Sequence, residues 1–81
     1  MHTIFLHGGD YATAHDLHEA LRRLLALPDH YGHNADALHD CLSERREPVR
    51  LVVLAPGNDE VNAALRKCAV VITDLGGQVS G

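Results

Sequence analysis

Between Val49 and Leu75 the sequence passes from an unbroken run of strand formers (Val49 to Leu54), through the break Pro56-Gly57-Asn58, into a stripe at helical spacing (Val61, Ala64, Leu65, Cys68). It then enters a second apolar, β-branched run, Val70 to Leu75. Two such runs separated by a helix cannot close as a tight hairpin; they become parallel neighbours joined by a crossover. Crossovers of this kind are right-handed in nearly all proteins. Both runs are continuous in Val, Leu and Ile rather than alternating, the pattern of a parallel sheet covered on both faces. With Thr3 to Leu6 as a first strand ended by Gly8-Gly9, the expectation is an α/β fold, a three-stranded parallel sheet packed with helices.

The stretch between the first and second strands holds two more helices. Thr13-Ala14-His15-Asp16 reads as a capping-box-like start with Asp in place of Glu, and Leu17, Ala20, Leu21, Leu24 and Leu25 form an apolar stripe. Pro28 ends this helix, because the residue before a proline is pushed out of the helical region, and Gly32 supplies a positive φ ahead of Asn34. Asn34 is an N-cap. From it Ala35, Leu38, Cys41 and Leu42 fall on one side of a helix, while Asp36, His39, Asp40 and Ser43 follow an i, i+3, i+4, i+7 spacing on the other. Ser43 to Pro48 is a charged loop. Asn58 caps the third helix, with Asp59 and Glu60 in its first turn and Arg66 and Lys67 toward its end.

At 81 residues the chain is read as one domain, residues 1–81, with 76–81 a frayed tail. Met1 to Leu6 lacks the positive n-region and cleavage site of a leader, and no run reaches the length of a membrane span, so a soluble cytoplasmic protein with no membrane contact is expected. Cys41 and Cys68 lie on apolar helical faces and read as small buried thiols rather than a disulfide or a zinc pair.

Charge is unevenly distributed. Asp29, Asp36, Asp40 and Glu44 fall in a stretch without Lys or Arg, so these four acids equal the whole formal net charge of −4. The remaining acids balance the seven bases. A concentrated negative patch beside a neutral remainder suits a cationic partner, since such a field steers association and repels acidic surfaces. Residue type alone also allows a plainer account, in which Asp36 serves the helix dipole and the other acids are merely solvated.

Asp16-Leu17-His18, Leu25-Ala26-Leu27-Pro28 and Tyr31-Gly32-x-Asn34-x-Asp36-Ala37-Leu38-x-Asp40-Cys41-Leu42 together resemble the barstar family, intracellular inhibitors of small secreted bacterial ribonucleases of the barnase kind. The match runs without a gap from Thr13 to Leu42, and element order continues it through the second half. The resemblance implies a protein inhibitor, an immunity protein rather than an enzyme. It would plug a ribonuclease's cationic active site with carboxylates placed where phosphate oxygens would sit. It assigns the central role to Asp40 and then Asp36. Around them it matches Tyr31, Gly32 and Asn34 to the binding loop and counts His30, Ala35, His39, Ser43 and Glu44 among the partner-binding residues. The implied partner is a secreted or toxin ribonuclease, barnase-like or related, with no cofactor and no direct nucleic-acid contact. The best known member of the family has a second tyrosine at the position of His30 and a tryptophan at that of His39. The family's further acidic contact on the later helix falls nearest Lys67.

Three other readings compete. Seven histidines in so short a chain raise a metal-binding or metal-regulated domain, with His33, Asp36 and Asp40 at i, i+3 and i+7 as the ligand set; no HExxH or paired CxxC spacing supports it. His2, His7, His15 and His18 read as ordinary surface or part-buried residues. An enzyme is disfavoured, because His39 and Asp40 point about a hundred degrees apart on a helix and no motif places a nucleophile. Gly8-Gly9 lacks the lysine and further glycines of a phosphate-binding loop, and Arg45, Arg46 and Arg50 make too small a cluster for nucleic acid beside an acidic face.

Overall fold

The computed structural model describes residues 1–81. Three strands, β1 (His2–His7), β2 (Val49–Ala55) and β3 (Gln78–Ser80), form a parallel sheet in the order β1-β2-β3. Helices α1 (Ala14–Leu24) and α2 (Ala35–Ser43) connect the first pair of strands and α3 (Asp59–Asp74) the second. The register sets Ile4 beside Leu51 and Leu51 beside Val79. No helix is long and apolar enough to cross a membrane.

The crossover is present, but its return strand lies later than the sequence suggests. Val70 to Leu75 is the last turn and a half of α3 and its C-cap, not a strand. The stripe Val61, Ala64, Leu65, Cys68 extends to Val71 and Ile72, all buried, so helical periodicity outweighs the β preference of the branched residues. Thr73 fits by donating its hydroxyl back to the carbonyls of Ala69 and Val70. Gly76, at φ 85°, then ends the helix in a Schellman turn, with its own N–H bonded to Thr73 O and that of Gly77 to Ile72 O. The strand begins at Gln78, inside the segment expected to fray.

The sheet is covered on one face only. Along β1, Ile4 and Leu6 are buried while Phe5 and His7 are exposed; along β2, Val49 and Leu51 are buried while Arg50 and Leu54 are exposed. Topology explains the difference from the expected double cover. Two successive right-handed crossovers that step across a sheet in the same direction deliver their helices to the same face. Ile4, Leu6, Val49 and Leu51 therefore share one core with Leu17, Leu21, Leu38, Val61, Cys68 and Ile72. Leu24, expected in the apolar stripe of α1, instead lies 43% exposed.

All three expected N-caps are made. Thr13 Oγ1 accepts from Asp16 N–H, Asn34 Oδ1 from Ala37 N–H and Asn58 Oδ1 from Val61 N–H. The reciprocal half of the first capping box is replaced by a long-range bond, the Ala14 N–H donating to Glu60 Oε2 of α3. Gly8-Gly9 serves packing: a Cβ on Gly8 would lie 2.5 Å from Gly57 N, and one on Gly57 the same distance from Gly8 O. The two backbones can touch only because both are glycine.

Two non-glycine residues adopt positive φ, Ala26 (53°) and His33 (54°). Ala26 is the αL residue of a second Schellman turn, with Ala26 N–H bonded to Arg23 O and Leu27 N–H to Arg22 O. That turn, rather than Pro28, ends α1. A left-handed alanine costs about 1 kcal/mol or more, part of which glycine gives back as backbone entropy. Ala26→Gly is therefore expected to raise the unfolding free energy by about 0.5 kcal/mol in urea titration. A midpoint lowered by the substitution would show that Ala26 is not held left-handed.

Candidate functional site

The segment from Leu27 to Glu44 is a loop followed by α2, and its shape is set by three attachments to α1. The first is a buried hydrogen bond of 2.6 Å between His18 Nδ1 and the Tyr31 hydroxyl. The Tyr31 hydroxyl also donates to the Asn34 carbonyl at 3.3 Å, so its oxygen is left to accept from His18 Nδ1–H and the neutral imidazole carries its proton on Nδ1. The second is Glu19, whose Oε2 lies 2.8 Å from His33 Nε2. The third is Arg22, which donates to Glu19 Oε1 at 2.6 Å and reaches Asp29 Oδ1 at 3.3 Å. The positive φ expected at Gly32 falls on His33 instead, whose ring stacks on that of His15 with centroids 4.3 Å apart.

The sequence signals for this network were partial. His18 occupies i, i+3, i+7 with Leu21 and Leu25, so its burial was available from the stripe even though it reads as an ordinary histidine. Spacing marks Glu19 and Arg22 only as an i, i+3 pair on α1, and nothing in it marks their links to His33 and Asp29 or the stacking of His15, because those partners lie across a loop.

The residues singled out from sequence divide by exposure. Asp36, His39, Asp40 and Ser43 stand exposed on α2 and Glu44 at its C-cap, and His30, Gly32 and Asn34 are exposed in the loop. Ala35 is half-buried, and Tyr31 is only 3% exposed, its ring turned into the core. Asn34 is occupied on both sides, capping Ala37 N–H and donating Nδ2 to Gly32 O. Ser43 Oγ donates to the Asp40 carbonyl of its own helix.

A groove of about 470 Å³ runs between the loop and α2. Leu27, Tyr31, Ala37 and Cys41 contribute apolar surface; His30, Asp40, Glu44 and Arg45 supply its polar margin. Arg45 is the only fixed cation there, and its guanidinium is committed elsewhere, donating to Leu25 O at 2.6 Å and to His2 Nδ1 at 2.9 Å. It thereby ties the end of α1 to the start of β1. Asp36, Asp40 and Glu44 have no ion-pair partner, whereas Asp29 is held by Arg22 and Glu47 by the N-terminal ammonium. The unneutralised field registers on Cys41, whose thiol is pushed up by burial and then by Glu44 and Asp40. Cys68, in the core, is pushed up to about 12 by burial, and both cysteines are free thiols.

The candidate metal set His33, Asp36 and Asp40 is not assembled. The His33 ring turns toward Glu19 and His15 on α1, away from the exposed polar face of α2, and no three His, Cys, Asp or Glu side chains come together as a metal site. Lys67 lines a separate cleft with His18, His33, Asn34 and Glu60.

The chain is thus a small parallel sheet with helices on one face, presenting an unneutralised acidic helix beside a tethered loop. Comparison with known proteins gives the family. The family model described as Barstar (barnase inhibitor) matches residues 1–76, and the chain belongs to the barstar family, whose members are inhibitors and not enzymes. It is also similar to a Bacillus subtilis (strain 168) protein named "Putative ribonuclease inhibitor YrdF", at 44% identity over 43 residues. That match takes in 53% of this chain and 47% of the relative, so it spans about half the length of the curated relative.

The pKa shifts give a pH dependence. Burial, then the neighbouring His33 and His15, lowers the His18 pKa from 6.5. Below about pH 6.5 the unfolded chain takes up a proton at His18 that the folded chain refuses, so stability present at neutral pH is lost as pH falls, until the folded ring itself protonates. Glu19 acts in a lower window: hydrogen bonds from Arg22 and then His33 hold its carboxyl down to about 2, so its contribution is lost as pH falls from 4.5 toward 2. Denaturant midpoints measured from pH 7 to pH 5 should fall for the wild type and fall distinctly less for His18→Gln. Equal slopes for the two proteins would show that His18 is not the group responsible.

Proposed function

We propose that this chain is an immunity protein that inhibits a cationic ribonuclease, barnase-like or related, secreted or delivered as a toxin, by inserting the acidic face of α2 into its active site. One observation carries the reading: Asp36, Asp40 and Glu44 are exposed and unpaired along one helix, at and beside a groove with an apolar floor. Family membership and the similarity to the relative, over about half the length of each chain, support it.

The chemistry derives from what an RNA-cleaving site must present. Arg, Lys and His groups placed for a phosphate accept a carboxylate through short charge-assisted hydrogen bonds, and Arg does so in a two-pronged geometry. Asp40, at the groove, takes the central position, and Asp36, one turn earlier, the second. Glu44 and Ser43 extend the contact one turn further. Gly32, Asn34 and Ala35 bring backbone to the interface, Tyr31 supports it from beneath, and His30 and His39 stand at its margin. No charge inside the molecule has to be displaced before the partner's cations bind, so the complex replaces only water at these carboxylates. Association is steered by the same field and slows as salt is added.

Steady-state RNA cleavage by barnase and by any ribonuclease that co-purifies with this chain, titrated with the protein in the presence and absence of a chelator, tests the reading. Stoichiometric, chelator-insensitive inhibition is expected for at least one of them. Asp40→Ala should weaken binding by about 2–5 kcal/mol, the cost of leaving desolvated partner cations unpaired, and Asp36→Ala by less. Full cleavage at excess protein, or inhibition indifferent to Asp40→Ala, would overturn it.

A further inference from the structure

We infer that His33, anchored by Glu19, is the positioning residue of the ribonuclease-binding face, fixing where α2 begins and hence where Asp36 and Asp40 stand. The inference rests on the inhibitor reading for its function and on the surroundings of the imidazole for its mechanism.

His33 holds a left-handed backbone at φ 54° although a glycine, which would adopt it freely, is the preceding residue. Contacts of its side chain hold the residue there. The ring is only 21% exposed and engaged from three directions. It stacks on His15 at 4.3 Å and 12° between planes, tilts against Tyr31 at 5.3 Å, and meets Glu19 Oε2 at 2.8 Å. Glu19 is itself fixed by Arg22, and Arg22 also reaches Asp29. The binding loop is therefore clamped near both ends, at Asp29 and at His33, to a single turn of α1.

The acidic helix starts directly after His33. Asn34 is the N-cap, and its side-chain and main-chain oxygens accept from Ala37 and Leu38 N–H. If the His33 ring lost its anchor, its backbone would relax to negative φ and turn the first bonded residue of α2 with it. Asp36 lies two residues beyond that cap. Positioning the loop before the partner arrives removes an ordering cost from association, which is the general advantage of a pre-organised binding surface. His33 does this from the α1 side and does not touch the partner.

Binding constants to the inhibited ribonuclease should be measured for Glu19→Ala, Glu19→Gln, His33→Ala and the double variant Glu19→Ala/His33→Ala. Amide exchange at Ala37 and Leu38 should be followed in the free proteins. The expected result is binding roughly three- to thirty-fold weaker for each alanine variant, the range for residues that modulate coupling without touching the ligand. The double variant should be no weaker than the worse single variant, because both break one link. Glu19→Gln should bind within about twofold of wild type, since glutamine can accept from Arg22 through its oxygen and donate to a neutral imidazole through its nitrogen. A field effect of Glu19 would instead make Glu19→Gln as damaging as Glu19→Ala. Exchange at Ala37 and Leu38 should quicken in the alanine variants ahead of any global unfolding. Folded variants with wild-type affinity, additive losses in the double variant, or unchanged exchange at the two amides would each overturn the inference. If the wild type inhibits no ribonuclease, the inhibitor reading fails alone, and the exchange rates still decide whether His33 positions α2.

Discussion

The loop that leads into the acidic helix is tied to the core by one buried polar link, the hydrogen bond from His18 on α1 to the Tyr31 hydroxyl. A phenol and an imidazole removed from water are costly unless each finds a partner, and no buried side-chain nitrogen or oxygen in this molecule is left without one. The same hydroxyl donates onward to the carbonyl of Asn34, the residue that caps α2. One continuous donor chain thus runs from the first helix, through the core, to the first turn of the second. Removing the Tyr31 ring would strand the His18 Nδ1, whereas without His18 the Tyr31 hydroxyl would keep its bond to Asn34, so the penalty for an unpaired group falls on the His18 side of the link.

The charged groups are arranged so that cations are used up where they hold structure and anions are left over where they face outward. Arg22 is bound by Glu19 and Asp29, Arg45 by a carbonyl and His2, and the amino terminus by Glu47. None of these is available to Asp36, Asp40 or Glu44, spaced four residues apart on one helix. Like charges at that spacing cost an isolated helix roughly 0.2–0.5 kcal/mol per pair, and α2 is only nine residues long. Such a helix does not persist on its own account in water. It is held by the Asn34 cap and by the burial of Leu38 and Leu42 against the core. The negative field is accordingly a burden that the rest of the fold supports.

How much of this could be read from the sequence depended on whether the deciding contact was local. Thr13, Asn34 and Asn58 were legible as caps because a cap is decided within four residues, and the inward residues of α2 and the first half of α3 emerged from period alone. Val70 to Leu75 misled because its four consecutive β-branched residues look like a strand in isolation, whereas the stripe begun at Val61 continues through them and buries Val71 and Ile72. Intrinsic preference points to Gly32 for the positive φ, yet His33 carries it, and its anchors lie eighteen and fourteen residues away, on His15 and Glu19. The bare face of the sheet was hidden for another reason: Val52 and Leu54 are apolar although β2 is covered on one side only, so the alternation that marks a half-open strand is blurred.

The acidic residues themselves illustrate a general limit. Asp36 and Asp40 make no side-chain hydrogen bond or ion pair within the molecule, and the Glu44 carboxylate is as free. Folding therefore places no demand on their identity, and periodicity could say only that they face outward. A carboxylate needed for stability would have betrayed itself through a partner, as Glu19 does through Arg22 and Glu60 through the first amide of α1. What singles out Asp36 and Asp40 is the reverse: a tethered loop, a cap and two buried leucines hold in place a row of charges that no cation of the fold neutralises, only Asp36 drawing support from the dipole of its own helix. Such an arrangement makes physical sense when the compensating charge arrives from another molecule.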